Sequence, residues 1–111
     1  MARRLVLRPK ADRDLDGAIR WYESQRPGLG QEFLTDVREA FLRISGSPDQ
    51  YALILPATRR ALLDRFPYAV FFRTRPSVID VVAVLHTSRN PRIWRLGEPV
   101  AAYGISARQA A

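Results

Sequence analysis

The residue best suited to chemistry in this 111-residue chain is His86, its single histidine. An imidazole titrates close to neutrality without help, so it can serve as a general acid or base. His86 ends the apolar run Val78–His86 (VIDVVAVLH), and simple strand alternation puts it on the same face as Val82 and Val84. A lone histidine needs partners to do chemistry, and the sequence supplies no clear set. The competing reading is structural: a partly buried imidazole that bonds the Asn90-Pro91 turn.

The second chemical resource is cationic. The basic residues are 17 arginines and Lys10, and the net charge is +7. Residues 1–58 come close to balancing, whereas residues 59–95 carry eight arginines against Asp64 and Asp80 alone. Arg59, Arg60 and Arg65 can grip phosphate, acidic protein side chains or a target surface. Taken singly, each is as well explained as part of a solvated strand face. Together with Arg73, Arg89, Arg92 and Arg95 they favour an anionic partner, either nucleic acid or an acidic protein segment. Trp21, Tyr22 and Phe33 can be read as a base-stacking platform, but helical spacing explains Tyr22 and Phe33 as core and leaves Trp21 as an edge contact.

Composition excludes several classes. There are no cysteines, so disulfides and thiolate metal sites are out, and one histidine cannot build a multi-histidine centre. No metal and no cofactor is expected. No apolar run approaches the roughly 20 residues that span a bilayer, and Met1–Leu7 meets Arg8-Pro9-Lys10 too soon for a signal sequence. The expectation is one cytoplasmic domain.

The elements that must carry these residues follow from pattern. Arg4–Arg8 alternates as a short strand, expected at an edge of the sheet, and Pro9 suits a first helical turn. Leu15, Ala18, Ile19 and Tyr22 recur at helical spacing, which predicts a helix over 10–25. Gly17 weakens it and is available for close packing. Arg26-Pro27-Gly28-Leu29-Gly30 is a turn by chemistry. Phe33, Val37, Ala40, Phe41 and Ile44 predict a second helix ending near Ser45, with Gly46-Ser47-Pro48 as its stop and Asp36 off its apolar stripe. Residues 49–58 read as an irregular connector, with Tyr51 and Leu53 tucked under the helices. Three strands follow, over 60–63, 68–74 and 78–86, with Arg75-Pro76-Ser77 as a hairpin connection. The last strand is too apolar for one wet face and should be central. The expected fold is α+β: an N-terminal strand, then an antiparallel helical hairpin packed on a small antiparallel sheet, in the order β-α-α-β-β-β. The domain is expected over residues 1–96, with 97–111 a C-terminal tail, a short helix or disordered.

Four stretches in this order carry a family resemblance: Ala11-x-x-Asp14-Leu15-x-x-Ala18 with Trp21-Tyr22; Gly28-Leu29-Gly30-x-x-Phe33; Arg59-Arg60-Ala61 with Arg65-Phe66-Pro67-Tyr68; and His86-x-x-Arg89-x-Pro91-x-x-Trp94. Together they resemble the ParE branch of the RelE/ParE toxin superfamily, over about residues 3–96. The resemblance implies the toxin of a type II toxin–antitoxin pair, held in a hetero-oligomer by a cognate ParD-like antitoxin. ParE-branch toxins are associated with poisoning DNA gyrase, and RelE-branch relatives cut mRNA on the ribosome. For ribosome-dependent cleavage, His86 with Arg65, Arg73 or Arg89 is the minimal set available, with Tyr103 in the unmatched tail. No lysine follows Lys10 and the sheet has no glutamate to act as base, so the residue types favour an inhibitor over a nuclease. A family member that binds antitoxin but poisons nothing is the third reading. On the inhibitor reading, Arg59, Arg60, Arg65, Arg73, Arg89, Arg92, Arg95 and Trp94 are the residues expected to face the target or the antitoxin.

Overall fold

Pro9 decides where the first strand stops and the first helix starts. In the computed structural model, which describes residues 3–88, β1 (Arg4–Leu7) runs into α1 (Pro9–Gln25) with Pro9 in the first helical turn. Its missing N–H costs nothing there. α2 (Leu29–Gly46), a short 3-10 turn (Pro48–Gln50), β2 (Leu53–Leu55), β3 (Thr58–Leu62), β4 (Tyr68–Thr74) and β5 (Val78–His86) follow. The strands form one sheet in the order β1-β5-β4-β3-β2. The expected α+β architecture and element order hold. β1 lies at an edge, as expected, and pairs with β5 in parallel. The remaining neighbours are antiparallel.

The connector expected over 49–58 is more ordered than its sequence implies. It contains β2, paired with β3 around a two-residue turn at Pro56-Ala57. Ala57 has φ of 60°. That is the left-handed conformation such a turn asks of its second central residue, and one that usually selects glycine or asparagine. With alanine there, the turn carries no sequence signal. Tyr51 does pack on the core, edge-on to Phe72 at 5.9 Å, but Leu53 projects into solvent from the edge strand rather than tucking under a helix.

The helical hairpin is built by backbone chemistry at residues 23–30. Gly28 has φ of 90°, and the Glu23 carboxylate accepts the backbone N–H of Gly28 (3.0 Å to the nearer oxygen) and of Gly30 (3.0 Å). An anion thus sits where the unpaired N–H groups at the start of α2 point. A Cβ on Gly30 would lie 2.9 Å from the Ile19 carbonyl oxygen, so glycine is what lets the two helices approach. Gly17 has nothing within 4 Å of its would-be Cβ. The close-packing role belongs to Gly30 instead.

The hairpin covers one face of the sheet. Leu15, Phe33, Val37 and Ile44 meet Val70, Phe72, Ile79, Val81 and Val84 in the main core. Burying each such side chain is worth about 1.5–3 kcal/mol. Ala69, Phe71 and Ala83 form a second buried cluster, with Ile54, Val82 and Leu85 packed on it. β5 contributes to both, as its near-continuous apolar sequence requires.

β5 also carries a bulge. Phe71 is opposite Ala83 but Phe72 is opposite Val81, so Val82 is an extra residue. The bulge overturns the simple alternation: Val84 joins the helix-side core and Val82 the second cluster. β1 pairs with β5 only as far as Val81. Beyond that point Asp14 of α1 takes over as acceptor, bonding the Val84 N–H at 3.0 Å.

Candidate binding site: arginines on the sheet

Strand register decides which arginines share a surface. Arg60 is opposite Phe71, and Arg59 is opposite Phe72. Because Phe71 belongs to the second cluster and Phe72 to the helix-side core, the two neighbouring arginines leave the sheet on opposite sides. Arg73, two residues beyond Phe71, shares with Arg60 and Thr58 the side that neither α1 nor α2 covers.

On that side Thr58 is buried, and its hydroxyl is used twice. It donates to the Pro56 carbonyl (3.3 Å) and accepts the Arg73 Nε–H (3.0 Å). Asp80 stands opposite Arg73 on β5, yet its two oxygens are held by Arg75, at 2.9 Å from Nε and 3.2 Å from Nη2.

Arg59 faces inward to the connector, with Nη1 donating to the Tyr51 carbonyl (2.5 Å) and the Asp49 carbonyl (3.3 Å). That guanidinium holds the chain together. Arg65 lies in the connection between β3 and β4, where it donates to Glu32 (3.3 Å) and its cation sits 5.9 Å from the Phe66 ring centroid. Arg26 shares the same Glu32 carboxylate at 3.3 Å. Arg89, Arg92, Trp94, Arg95 and Tyr103 lie outside the described residues, as do the Asn90-Pro91 turn and the boundary expected at residue 96.

His86, at the end of β5, is half-buried on the helix side. Its ring meets Tyr68 edge-on with centroids 5.2 Å apart. Nδ1 accepts the Ser88 backbone N–H at 3.1 Å, which leaves the ring proton of the neutral form on Nε2. An aromatic chain continues inward from Tyr68 to Phe33 (4.9 Å), Tyr22 and Phe66. Burial raises the Tyr22 pKa above 10.0, and the nearby Tyr68 phenol pushes it the same way. Trp21 stacks edge-on against Tyr22 and stays 54% exposed, the edge contact its spacing predicted.

Sequence reasoning missed Asp36. It is fully buried, and its Oδ2 accepts the backbone N–H of Arg65 (2.8 Å) and of Phe66 (3.1 Å). It therefore holds in place the connection that carries Arg65. The signal was available: Asp36 is three residues after Phe33 and four before Ala40, within the buried stripe. Thr58 was passed over too, because a threonine in a strand is unremarkable until its neighbours across the sheet are known.

A family model described as the ParE toxin of the type II toxin–antitoxin system parDE matches residues 5–91. Toxin ParE2 of Mycobacterium tuberculosis, in strains CDC 1551 and H37Rv, is 30% identical over 92 residues, covering 82% of this chain and 88% of that toxin. The fold resembles a solved chain from the chromosomal ParDE system of P. aeruginosa, with a TM-score of 0.70 and 22% identity over 78% of this chain and 98% of that one. With its helical hairpin, five-stranded sheet and match along most of its length, the chain belongs to the ParE toxins of type II toxin–antitoxin systems.

Proposed function

We propose that this ParE-type toxin arrests growth by binding a protein target in the cytoplasm, DNA gyrase, and that a ParD-like antitoxin neutralises it in a hetero-oligomer. The toxin domain spans residues 1–96 and the rest of the chain is a tail. The observation that carries the inhibitor reading over a nuclease is the dispersal of the described candidates. His86 belongs to the helix-side aromatic cluster with Nδ1 occupied by Ser88, Arg73 is on the opposite side of the sheet, and Arg65 is turned to Glu32. General acid–base cleavage needs such groups converging on one phosphate. Gyrase as the target is supported by membership of the ParE family and by the excess of arginine over acidic residues in residues 59–95.

The test is induction in a bacterium lacking the antitoxin, following DNA damage and translation separately, with purified protein assayed for inhibition of gyrase supercoiling. Filamentation, an SOS response and blocked supercoiling are expected, and His86→Ala that still folds should retain toxicity. Rapid translation arrest with mRNA cut at ribosome-bound codons would establish the RelE-type nuclease instead. A folded protein without any growth effect would identify a non-toxic antitoxin binder.

A further inference from the structure

We infer that Arg73, held by Thr58, is a preorganised receptor for a single carboxylate presented by the antitoxin. This rests on the antitoxin-binding reading above and names one contact within it. The hydroxyl of Thr58 sets the arrangement. Because that hydroxyl donates to the Pro56 carbonyl, its lone pairs are left to accept, and they accept Nε–H of Arg73. A guanidinium has five N–H donors in a rigid plane. With Nε committed, the plane is oriented and the end carrying Nη1 and Nη2 makes no hydrogen bond or ion pair among the described residues. That end is the fork that matches the two oxygens of a carboxylate.

The other cations nearby decide the class of ligand. Arg75 is spent on both oxygens of Asp80, Arg59 is bonded to the connector on the far side of the sheet, and Arg60 is not a free cation either. A nucleic-acid backbone calls for several cations spaced along successive phosphates. One oriented fork suits one carboxylate. The face it lies on suits a protein contact: half-buried Ile54 and Leu85 are on the same side of the sheet, and fixing a long side chain before binding lowers the entropic cost of using it.

The experiment measures binding of the full-length toxin to the antitoxin encoded beside it, by calorimetry, for wild type, Arg73→Lys, Thr58→Val and the double variant. Thermal melts confirm that each is folded. Arg73→Lys keeps the charge but loses the fork, and should weaken binding by about tenfold or more. Thr58→Val keeps the shape but frees the guanidinium, and should weaken binding severalfold. In the double variant the threonine effect should largely vanish, because the hydroxyl acts only through the arginine. Unchanged affinity in a folded Arg73→Lys variant, or additive effects in the double variant, would overturn the inference and leave the function standing. Failure of wild type to bind the antitoxin would overturn the partner assignment itself. If Arg73→Lys instead weakened binding to a duplex DNA or single-stranded RNA oligonucleotide, with antitoxin affinity unchanged, the carboxylate assignment would be replaced by a phosphate one.

Discussion

Asp36 shows how a single side chain inside the core governs a loop outside it. Two consecutive backbone N–H groups, of Arg65 and Phe66, depend on one carboxylate oxygen, and among the described residues they lie between strands and not in one. Asp36→Ala would leave both donors unsatisfied and open a small void. We expect a loss of about 2–4 kcal/mol in chemical denaturation, with Asp36→Asn, which keeps one acceptor, costing less. A loss below about 0.5 kcal/mol for the alanine variant would show that the loop finds other partners. Tyr22 makes a prediction about pH. Its folded pKa is raised above the unfolded value of 10.0, so the native state disfavours the phenolate. Its contribution to stability is intact below pH 10 and is lost as pH rises through the higher folded value. Urea midpoints measured across that window should fall for wild type and fall less for Tyr22→Phe. Parallel curves for the two proteins would assign the alkaline loss to other groups.

At the level of elements, the two glycines of the hairpin behave oppositely, and space alone explains it. Gly30→Ala sets a Cβ against the Ile19 carbonyl oxygen at 2.9 Å, a backbone atom that cannot move aside without separating α1 from α2. We expect destabilisation of about 1–3 kcal/mol. Gly17→Ala, in the exposed middle of α1 with open space around it, should stabilise by about 0.5–1 kcal/mol through helix propensity. Thermal melts of the two variants should move in opposite directions, and a shift of the same sign in both would remove the distinction. The same scale explains which elements were legible. Helices α1 and α2 and strands β4 and β5 announce themselves through period and through Pro or Gly at their ends. β2 does not: it is three residues long, its turn uses Ala57 where glycine is expected, and its pairing is irregular. β3 was found but displaced by two residues at its start, because Thr58 becomes a strand residue only through its neighbours.

For the whole molecule, the sheet works as a partition between two kinds of surface. The helical hairpin closes one side with aliphatic and aromatic side chains, and the other side carries Arg60, Arg73 and Thr58 around a smaller apolar cluster. Positive charge concentrated in residues 59–95 is thereby divided: Arg59 stiffens a connector, Arg65 answers Glu32, and Arg73 presents its fork. What the amino-acid order determined by itself was fold class, the order of the elements apart from β2, the interior place of β5 and the family, since these depend on local periodicity, turn chemistry and short motifs. Tertiary structure alone decided which side of the sheet the described arginines take and what they bond. Register places Arg59 and Arg60 on opposite sides, and a single extra residue at Val82 sends His86 to the helix side away from Arg73. Neither depends on residue type. Both follow from pairing between strands distant in sequence, where a shift of one residue exchanges the two faces.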